Sequence, residues 1–405
     1  MTLIHSGTFD ARHRRVLDAA ASWGRARRQP VWLVGGPVRD ALLGRMSADV
    51  DLAVERGAFD LAEYVAFRTG GRAVEHREFL TAAAHIGGGE AVDVVTTRSE
   101  TYAAPGALPT VRAGSIEDDL VRRDFAMNAI ALALDSEAIV DPADGRGDLA
   151  ARRVRILHDR SFIDDPTRLF RALRLATRLG FGLEQNTERR LREALAGDAP
   201  RTVSRERLWR ELRLATEEEA PAAALEALAA AGALDTLLGR LRTEGRAERL
   251  RRAEEIARVP GLDREVLFLD ALLAADARCE EVVAGSDLDG RRRAALRELR
   301  AAEATAAAVA ATADRESRMA LLDRAPAELL AVLCADPRAA EAASDQSRYR
   351  ETPLPFHGEE LGVPPGPHVG AAIRDARRAL ALRHLAPGEA LAFARTRALE
   401  YLRGK

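Results

Sequence analysis

The stretch at 31–55, VWLVGGPVRDALLGRMSADVDLAVE, constrains the fold more strongly than any other part of the sequence. Two apolar segments flank a Gly-Gly pair and a short helical segment, which predicts a strand, a turn, a helix and a second strand. Asp49 and Asp51 lie two positions apart in the predicted second strand, so their side chains point to the same face. Two carboxylates on one face predict a cation site, and an all-oxygen ligand set favours Mg²⁺.

The Gly35-Gly36 turn of the same stretch predicts a phosphate-binding site. Glycines let backbone N–H groups come close to a phosphate. Pro37 suits the first position of a helix, whose positive N-terminus would face that phosphate. A phosphate site beside metal-binding carboxylates indicates chemistry on a nucleoside triphosphate. Asp93, in the predicted strand AVDVVTT, is either a third carboxylate of this site or an acid on an edge strand.

The composition predicts a soluble protein with several domains. The chain has 405 residues, too many for one core, so two to four domains are expected. Charged residues make up 31 % and no apolar run reaches membrane-spanning length, so no membrane partner is expected. The N-terminal sequence lacks the pattern of a secretory signal, and Cys279 and Cys334 belong to no metal-binding pattern. These features predict a cytoplasmic location, with both cysteines buried as small apolar side chains.

The secondary-structure pattern changes once along the chain. Strand and helix patterns alternate up to about residue 145, which predicts an α/β domain, and helical periodicity follows. Within the first part, residues 99–114 read as a long loop because they contain two prolines and two glycines. Ser115 then caps a predicted helix over 116–134.

Three further motifs carry arginines and carboxylates. DLVRRDFAMNA (119–129) predicts Arg122 and Arg123 on a helix, with Asp124 and Asn128 paired at i, i+4. DDPTRLFRALRLATRLGF (164–181) is either a nucleotide-holding helix or a helix with a basic solvated face. SRERLWREL (204–212), taken alone, is typical of a salt-bridged surface helix.

These stretches, in this order, resemble the motifs of the class II tRNA nucleotidyltransferases, a family that includes bacterial poly(A) polymerases. LVGGPVRDALLG…DVDLAV is similar to the catalytic motif, and RRDFAMNAIAL to RRDFTINA. IDDPTRLFRALRLATRLGF is similar to EDPLRxLRAxRFAxRxGF, which selects the incoming nucleotide, and SRERLWREL to ERxxxE. PFHGEELGVPPGPHVGAAI is similar to the tail-domain pattern GxDLxxxGxxPGPxxG.

The resemblance implies an α+β fold, in which a nucleotidyltransferase (polymerase-beta-like) α/β head precedes all-helical neck, body and tail domains. The head would contain a five-stranded sheet. The implied boundaries are a catalytic head at 1–145, a nucleotide-selecting neck at 146–215, a body at 216–345 and a tRNA-binding tail at 346–405.

The resemblance also implies template-independent addition of C and/or A to the tRNA 3′ end from CTP and ATP, with release of pyrophosphate. Asp49 and Asp51 would be catalytic and bind Mg²⁺. The implied nucleotide-binding residues are Gly36, Arg39, Arg123, Asp165, Arg168, Arg171 and Arg174. Cytosine and adenine both carry an amino group beside a ring-nitrogen acceptor, so an Asp and an Arg can recognise both bases. Uracil and guanine reverse these positions and would leave both side chains mispaired.

Three departures from the family pattern matter. Asp164 replaces the usual Glu, which bears on how the neck is fixed, and Ala126-Met127 replaces Thr-Ile, which we expect to be tolerated. The 99–114 region lacks the RRP-type loop of many CCA-adding members, and this departure leaves the product open. The product is therefore CCA, CC only or A only. The alternatives are a poly(A) polymerase acting on other RNAs and a non-catalytic RNA-binding relative, which the intact Asp49 and Asp51 disfavour. The sequence does not specify an oligomeric state.

Overall fold

The computed structural model describes residues 8–47, 49–87, 89–273 and 279–403. The chain divides into two compact units, Met1–Thr243 and Glu244–Lys405. The finer division into head, neck, body and tail stays a prediction. Within the described ranges, no helix combines the length and the apolar character needed to cross a membrane.

Among its described residues, the first unit is built on a mixed sheet of seven strands, in the order β3-β4-β5-β2-β1-β8-β9. The resemblance implied five strands, so that prediction was wrong. A hairpin, β6–β7, and a short parallel ladder, β10–β11, stand apart from this sheet. The strands are β1 Trp32–Val34, β2 Asp51–Val54, β3 Arg72–His76, β4 Thr81–His85, β5 Ala91–Thr96, β6 Arg98–Thr101, β7 Thr110–Ala113, β8 Ala131–Ala133, β9 Ile139–Val140, β10 Arg153–Val154 and β11 Gly182–Leu183.

The central strands bring two carboxylates together. β2 and β5 pair in parallel, with Asp51 opposite Asp93. Partners in a parallel register point to the same face of the sheet. β5 lies between β4 and β2, so Asp93 is not on an edge strand. On the opposite face Leu52 and Val94 are fully buried, which fixes the register that presents both acids.

In the part of the first unit that the structure describes, eleven α-helices lie around the sheet or follow it. They are α1 Ala11–Arg27, α2 Gly36–Leu42, α3 Ala58–Thr69, α4 Ile116–Val121, α5 Gly145–Ala150, α6 Ser161–Asp164, α7 Thr167–Leu179, α8 Gln185–Ala196, α9 Arg205–Thr216, α10 Pro221–Ala230 and α11 Asp235–Leu238. The strand, turn, helix and strand predicted over 31–55 are all present.

The helix predicted over 116–134 is much shorter than expected. Ser115 forms a capping box with Asp118, as the sequence suggested, but α4 ends at Val121. A single 3₁₀ turn follows, and the remaining apolar segment becomes β8, which pairs with β1. All three residues of β8 are buried, so the segment lacks the alternation of buried and exposed residues that would have indicated a strand.

Residues 99–114 were predicted to form a long loop, but most of them belong to a hairpin and its turn. β6 and β7 pair antiparallel, with Thr101 opposite Thr110. The turn between them packs on later segments, because the Gly106 N–H lies 3.3 Å from the carbonyl oxygen of Ile163 and 3.2 Å from that of Asp164. Gly106 has φ +72°, and an added Cβ would meet the Thr202 carbonyl. The turn therefore has no room for a side chain at this position.

The second unit is helical among its described residues. Its helices are α12 Arg246–Ile256, α13 Arg264–Leu273, α14 Cys279–Ala284, α15 Gly290–Arg300, α16 Ala302–Ala311, α17 Arg315–Ala320, α18 Ala327–Cys334, α19 Ala340–Glu351, α20 Pro367–Ala381 and α21 Ala390–Arg403. Cys334 is exposed, so its predicted burial was wrong. The expectation of helices alone after residue 150 was also wrong, because β10 and β11 form a parallel ladder in the first unit.

Candidate active site

A polar cleft of about 380 Å³ opens in the first unit between the carboxylate-bearing end of the sheet and α7. It contains four of the predicted nucleotide-binding residues and both predicted metal-binding aspartates. Its lining residues are Gly36, Pro37, Arg39, Asp40, Arg45, Met46, Ser47, Asp49, Asp51, Asn128, Arg171, Arg174, Leu175, Arg178, Leu179, Glu218 and Glu219. Both carboxylates and arginines line this cleft, which suits a cation and an anion side by side, and we call the part formed by Asp49 and Asp51 its carboxylate side.

The carboxylate side is formed by Asp51 and Asp49. Asp51 is the first residue of β2, whereas Asp49 precedes the strand, contrary to the prediction that both belong to it. Burial and, after it, the charge of Asp93 raise the pKa of Asp51 to about 6, although Arg123 opposes the increase. Asp49 also raises the pKa of Asp51. Asp51 is thus a buried carboxylate with two acidic neighbours, and a bound cation would offset both its burial and their repulsion.

The donor set limits what kind of cation could bind. In the ranges that the structure describes, no group of three or more His, Cys, Asp or Glu side chains is arranged to hold a metal ion. A cation bound by Asp49 and Asp51 would take its remaining ligands from water or phosphate oxygens. A hard divalent cation that keeps part of its water shell fits this set.

Gly35 shapes the turn between β1 and α2. Its φ is +75°, and an added Cβ would lie 2.6 Å from Nη1 of Arg123 and 3.8 Å from Oδ2 of Asp51. The Gly35 N–H donates to the Ile130 carbonyl, which ties the turn to the segment before β8. The close approach of Arg123 therefore depends on the missing side chain at position 35.

We expect Gly35→Ala to reduce activity more than stability. The positive φ costs about 1 kcal/mol for alanine, whereas the methyl group would displace Arg123 from Asp51. Steady-state kinetics and urea unfolding of the first unit would separate the two effects. Gly44→Ala is the matched control, because Gly44 also has positive φ but no atom within 4 Å of an added Cβ. Equal losses of activity in both variants would contradict this explanation.

Arg39 is held rigidly at the edge of the cleft. It is only 4 % exposed, and its Nε and Nη2 donate to Asp40 at 2.8 and 3.0 Å. Its Nη1 donates to Oδ1 of Asn128 at 2.8 Å. Asn128 in turn donates to Asp124 at 3.0 Å, as the i, i+4 spacing predicted, although these residues do not lie on an α-helix.

Asp124 connects this edge of the cleft to α7. Nε and Nη2 of Arg171 donate to Oδ2 of Asp124 at 2.9 and 2.6 Å. Burial alone would raise the pKa of Asp124, but the Arg171 charge and the hydrogen bonds from Asn128 and Arg171 lower it to about 2. Asp124 is therefore ionised across the physiological pH range.

Arg123 follows α4 instead of lying on it, which corrects the prediction. Its Nη2 donates to Oδ2 of Asp119 at 2.9 Å, and Asp119 is fully buried. Arg122 donates to the other carboxylate oxygen of Asp119 at 2.7 Å and to Glu100 at 2.7 Å. One buried carboxylate thus orients both arginines of the RRD motif, and Arg123 is the one near Asp51.

Arg174 is bound by two carboxylates on the far side of the cleft. Its Nη1 donates to Glu211 at 2.8 Å and its Nε to Glu218 at 3.0 Å. Burial raises the pKa of Glu211, although the Arg174 charge opposes the increase. The SRERLWREL stretch is therefore not a simple surface helix, because Glu211 is buried and turned toward α7.

Asp165 and Arg168 do not line the cleft. Oδ1 of Asp165 accepts from the Thr167 hydroxyl at 2.7 Å and from Nη2 of Arg207 at 2.9 Å. Arg168 is only 5 % exposed, which differs from the basic solvated face considered for α7. Arg168 lies on α7, the helix that also carries the cleft residues Arg171 and Arg174, and Asp165 lies just before that helix. Neither Asp165 nor Arg168 is in the cleft itself.

Several cleft residues were missed by sequence reasoning. Asp40 was visible as the last residue of the GGxxRD pattern, yet its role in holding Arg39 was not anticipated. Glu218 had no motif that distinguished it from other acids, and its role depends on a tertiary contact with Arg174, which no local spacing encodes. Asp119 lies outside the cleft lining and pairs with Arg122 and Arg123 at i, i+3 and i, i+4, a spacing that the sequence shows but that was not used.

The cleft residues lie partly within a region that matches a known family. A model described as the Poly A polymerase head domain matches residues 31–155. An A-adding tRNA nucleotidyltransferase from Halalkalibacterium halodurans is 38 % identical over 261 residues, covering 62 % of this chain and 60 % of that protein. The chain thus spans less than two thirds of that relative's length.

Two other proteins are similar over much more of their length. A CC-adding tRNA nucleotidyltransferase from Deinococcus radiodurans is 36 % identical over 353 residues, covering 84 % of this chain and 82 % of that protein. The solved complex of a CCA-adding enzyme with ATP has a TM-score of 0.72 and 25 % identity, covering 95 % of this chain and 94 % of that one. Sequence similarity and fold agree along most of the chain, and we conclude that this protein belongs to the tRNA nucleotidyltransferase family.

Proposed function

We propose that this protein adds C and/or A to the 3′ end of tRNA, using CTP and ATP and releasing pyrophosphate. The observation that carries the proposal is the cleft in which Asp49 and Asp51 face a set of fixed arginines. In the proposed reaction the tRNA 3′-hydroxyl attacks the α-phosphate. Positioning and charge stabilisation supply most of the catalysis in such a transfer, so no histidine base is required.

Asp49 and Asp51 are the proposed ligands of Mg²⁺. Divalent metal use is general in this family, and the hard oxygen donors of the site favour magnesium among divalent ions. When bound, the cation would neutralise phosphate charge and polarise the reacting phosphoryl group. Asp93 lies beside Asp51 on the neighbouring strand and contributes negative charge to the same site.

The arginines and Gly36 are the proposed triphosphate-binding residues. Arg39 and Arg123 are each fixed by a carboxylate, so little conformational entropy is lost when they bind phosphate oxygens. Arg171 lies on the same side of the cleft, with 45 % of its side chain exposed. Because Arg174 already donates to two acids, we propose that it contributes its positive charge to the site and not hydrogen bonds to phosphate.

Asp165 and Arg168 are the proposed base-reading pair. The Asp165 contacts with Thr167 and Arg207 all use Oδ1, so Oδ2 is the proposed acceptor for the amino group of cytosine or adenine. Arg168 would donate to the neighbouring ring nitrogen. Uracil and guanine would place an acceptor opposite Asp165 and a donor opposite Arg168. This mismatch supports selection of CTP and ATP by protein side chains alone.

The test offers the full chain three tRNAs that end before the CCA, after the first C and after CC. CTP and ATP are supplied separately and together with Mg²⁺. We expect a fixed addition of one to three nucleotides, and the tRNA that is extended identifies the product as CC, A or CCA. Long homopolymers on unrelated RNA would instead indicate a poly(A) polymerase. No extension of any of the three tRNAs would contradict the proposal.

A further inference from the structure

We propose that Tyr102 is a positioning residue for Arg168, and that its hydroxyl thereby contributes to how strictly the incoming base is selected. The inference rests on the proposed function, in which Arg168 donates to a ring nitrogen of cytosine or adenine. Tyr102 is assigned no contact with the nucleotide. Its effect passes entirely through the Arg168 guanidinium.

Arg168 is bound by acceptors from three different segments. Its Nη1 donates to the Ser161 hydroxyl at 2.9 Å. Its Nη2 donates to the Arg122 carbonyl at 2.8 Å and to the Tyr102 hydroxyl at 3.4 Å. An Nη nitrogen carries two N–H groups, so these two contacts account for both donors of Nη2. The plane of the guanidinium is therefore set jointly by α6, the end of α4 and the hairpin.

The phenol of Tyr102 is oriented to accept from Arg168. Its Oη donates to Oε2 of Glu100 at 3.0 Å, which leaves an oxygen lone pair for the guanidinium. Glu100 is itself fixed, because Oε1 accepts from Arg122 at 2.7 Å and from Arg98 at 3.2 Å. The hairpin thus presents a directed acceptor instead of a freely rotating hydroxyl.

The same hairpin reaches the other member of the proposed base-reading pair. Nη1 of Arg207 donates to the Gly106 carbonyl at 3.1 Å, and Nη2 of Arg207 donates to Asp165 at 2.9 Å. The hairpin is therefore linked to both side chains. Its Tyr102 contacts Arg168, and its Gly106 is connected to Asp165 by way of Arg207. A shift of the hairpin would change the two together.

The expected consequence is a loss of base selection when the phenol oxygen is removed. Without it, the Arg168 donors can rotate away from the direction in which the ring nitrogen of cytosine or adenine lies. Cytosine and adenine then lose a directed hydrogen bond from Arg168, whereas uracil and guanine lose nothing because they accept none from it. We expect Tyr102→Phe to reduce the preference for CTP and ATP over UTP and GTP by about tenfold in kcat/KM, the size of one hydrogen bond.

The experiment measures kcat and KM for all four nucleotides with the full chain and its tRNA substrate. Tyr102→Phe should raise KM for CTP and ATP more than it lowers kcat. Tyr64→Phe is the matched control, because Tyr64 accepts a hydrogen bond from Arg68 at 2.7 Å on the exposed face of α3. Thermal unfolding of each variant shows whether the fold is retained.

A double-mutant cycle with Arg168→Ala tests whether Tyr102 acts through Arg168. In the Arg168→Ala background, Tyr102→Phe should change nucleotide preference no further. Equal losses for all four nucleotides, or effects that simply add, would show a structural role and overturn the inference. A wild-type protein that extends no tRNA would contradict the proposed function instead, so the two failures are distinguishable.

Discussion

Replacing Asp51 by asparagine is expected to reduce nucleotide transfer by about a thousandfold or more while the first unit stays folded. The substitution keeps the shape of the side chain at the start of β2 but removes its charge. Loss of a metal-binding carboxylate removes several kcal/mol of charge stabilisation, and about 4 kcal/mol corresponds to this factor. Asp49 alone would hold the cation much more weakly.

The same substitution should stabilise the metal-free protein above pH 6. The folded-state pKa of Asp51 is about 6, above its ordinary value of 3.8, so the folded state holds the extra proton between these values. Stability therefore falls as pH rises through this window, and the loss is complete above pH 6. Asp51→Asn removes it, which would raise stability at pH 7.5 by up to about 3 kcal/mol.

Urea unfolding with and without Mg²⁺ provides the measurement. Mg²⁺ should stabilise the wild type and have little effect on Asp51→Asn, so that the order of stability reverses when the ion is added. Asp135→Asn, at an exposed position after β8, is the control for loss of one negative charge. Wild-type transfer by Asp51→Asn would refute the metal assignment.

Asp124→Asn is expected to lower kcat/KM by about a hundredfold. Asn can still accept from Asn128, but the ion pair with Arg171 is lost. Arg171 would then be free to move, and Asn128 would hold Arg39 less firmly. Both arginines are proposed phosphate ligands. The stability loss should be only about 1 kcal/mol, because the Arg171 side chain is 45 % exposed and water screens the pair.

The stability loss should depend on pH in a defined direction. The pKa of Asp124 is lowered to about 2 in the folded state, against 3.8 ordinarily. Its contribution is fully present above about pH 4 and disappears as pH falls toward 2, so wild type and Asp124→Asn should converge there. Asp345→Asn is the matched control, since Asp345 forms a similar bidentate pair with Arg315 in the second unit. Asp345→Asn should lose stability without losing kcat/KM. An equal loss of kcat/KM in both variants would argue against a specific role of Asp124 in positioning Arg171 and Arg39.

Local signals were enough to predict the elements around the two aspartates. The apolar segments, the glycine turn and the proline at the first helical position each agree with the observed β1, α2 and β2. The helix over 116–134 failed for a physical reason. Phe125 through Ala133 are buried on every side, so periodicity could not separate a strand from a helix. β3 has no strand signal in the sequence, because its residues are mostly part-exposed and show no alternation.

The contacts that organise the site were beyond any local pattern. Arg39 and Asn128 are 89 residues apart, and Arg171 and Asp124 are 47 apart. Motif resemblance named most of these side chains, but it did not indicate that Arg168 is buried or that Asp165 is engaged by Arg207. Pairing between distant charges is decided by the packing of whole elements, which is why Glu218, the partner of Arg174, escaped notice.

The boundary between the two units at 243 and 244 has a consequence for how such proteins can diversify. Every residue that lines the cleft, from Gly36 to Glu219, is encoded upstream of it. Recombination at this point would exchange about 40 % of the coding sequence without replacing one cleft side chain. Lineages can therefore keep the cleft residues unchanged while the remainder of the chain diverges.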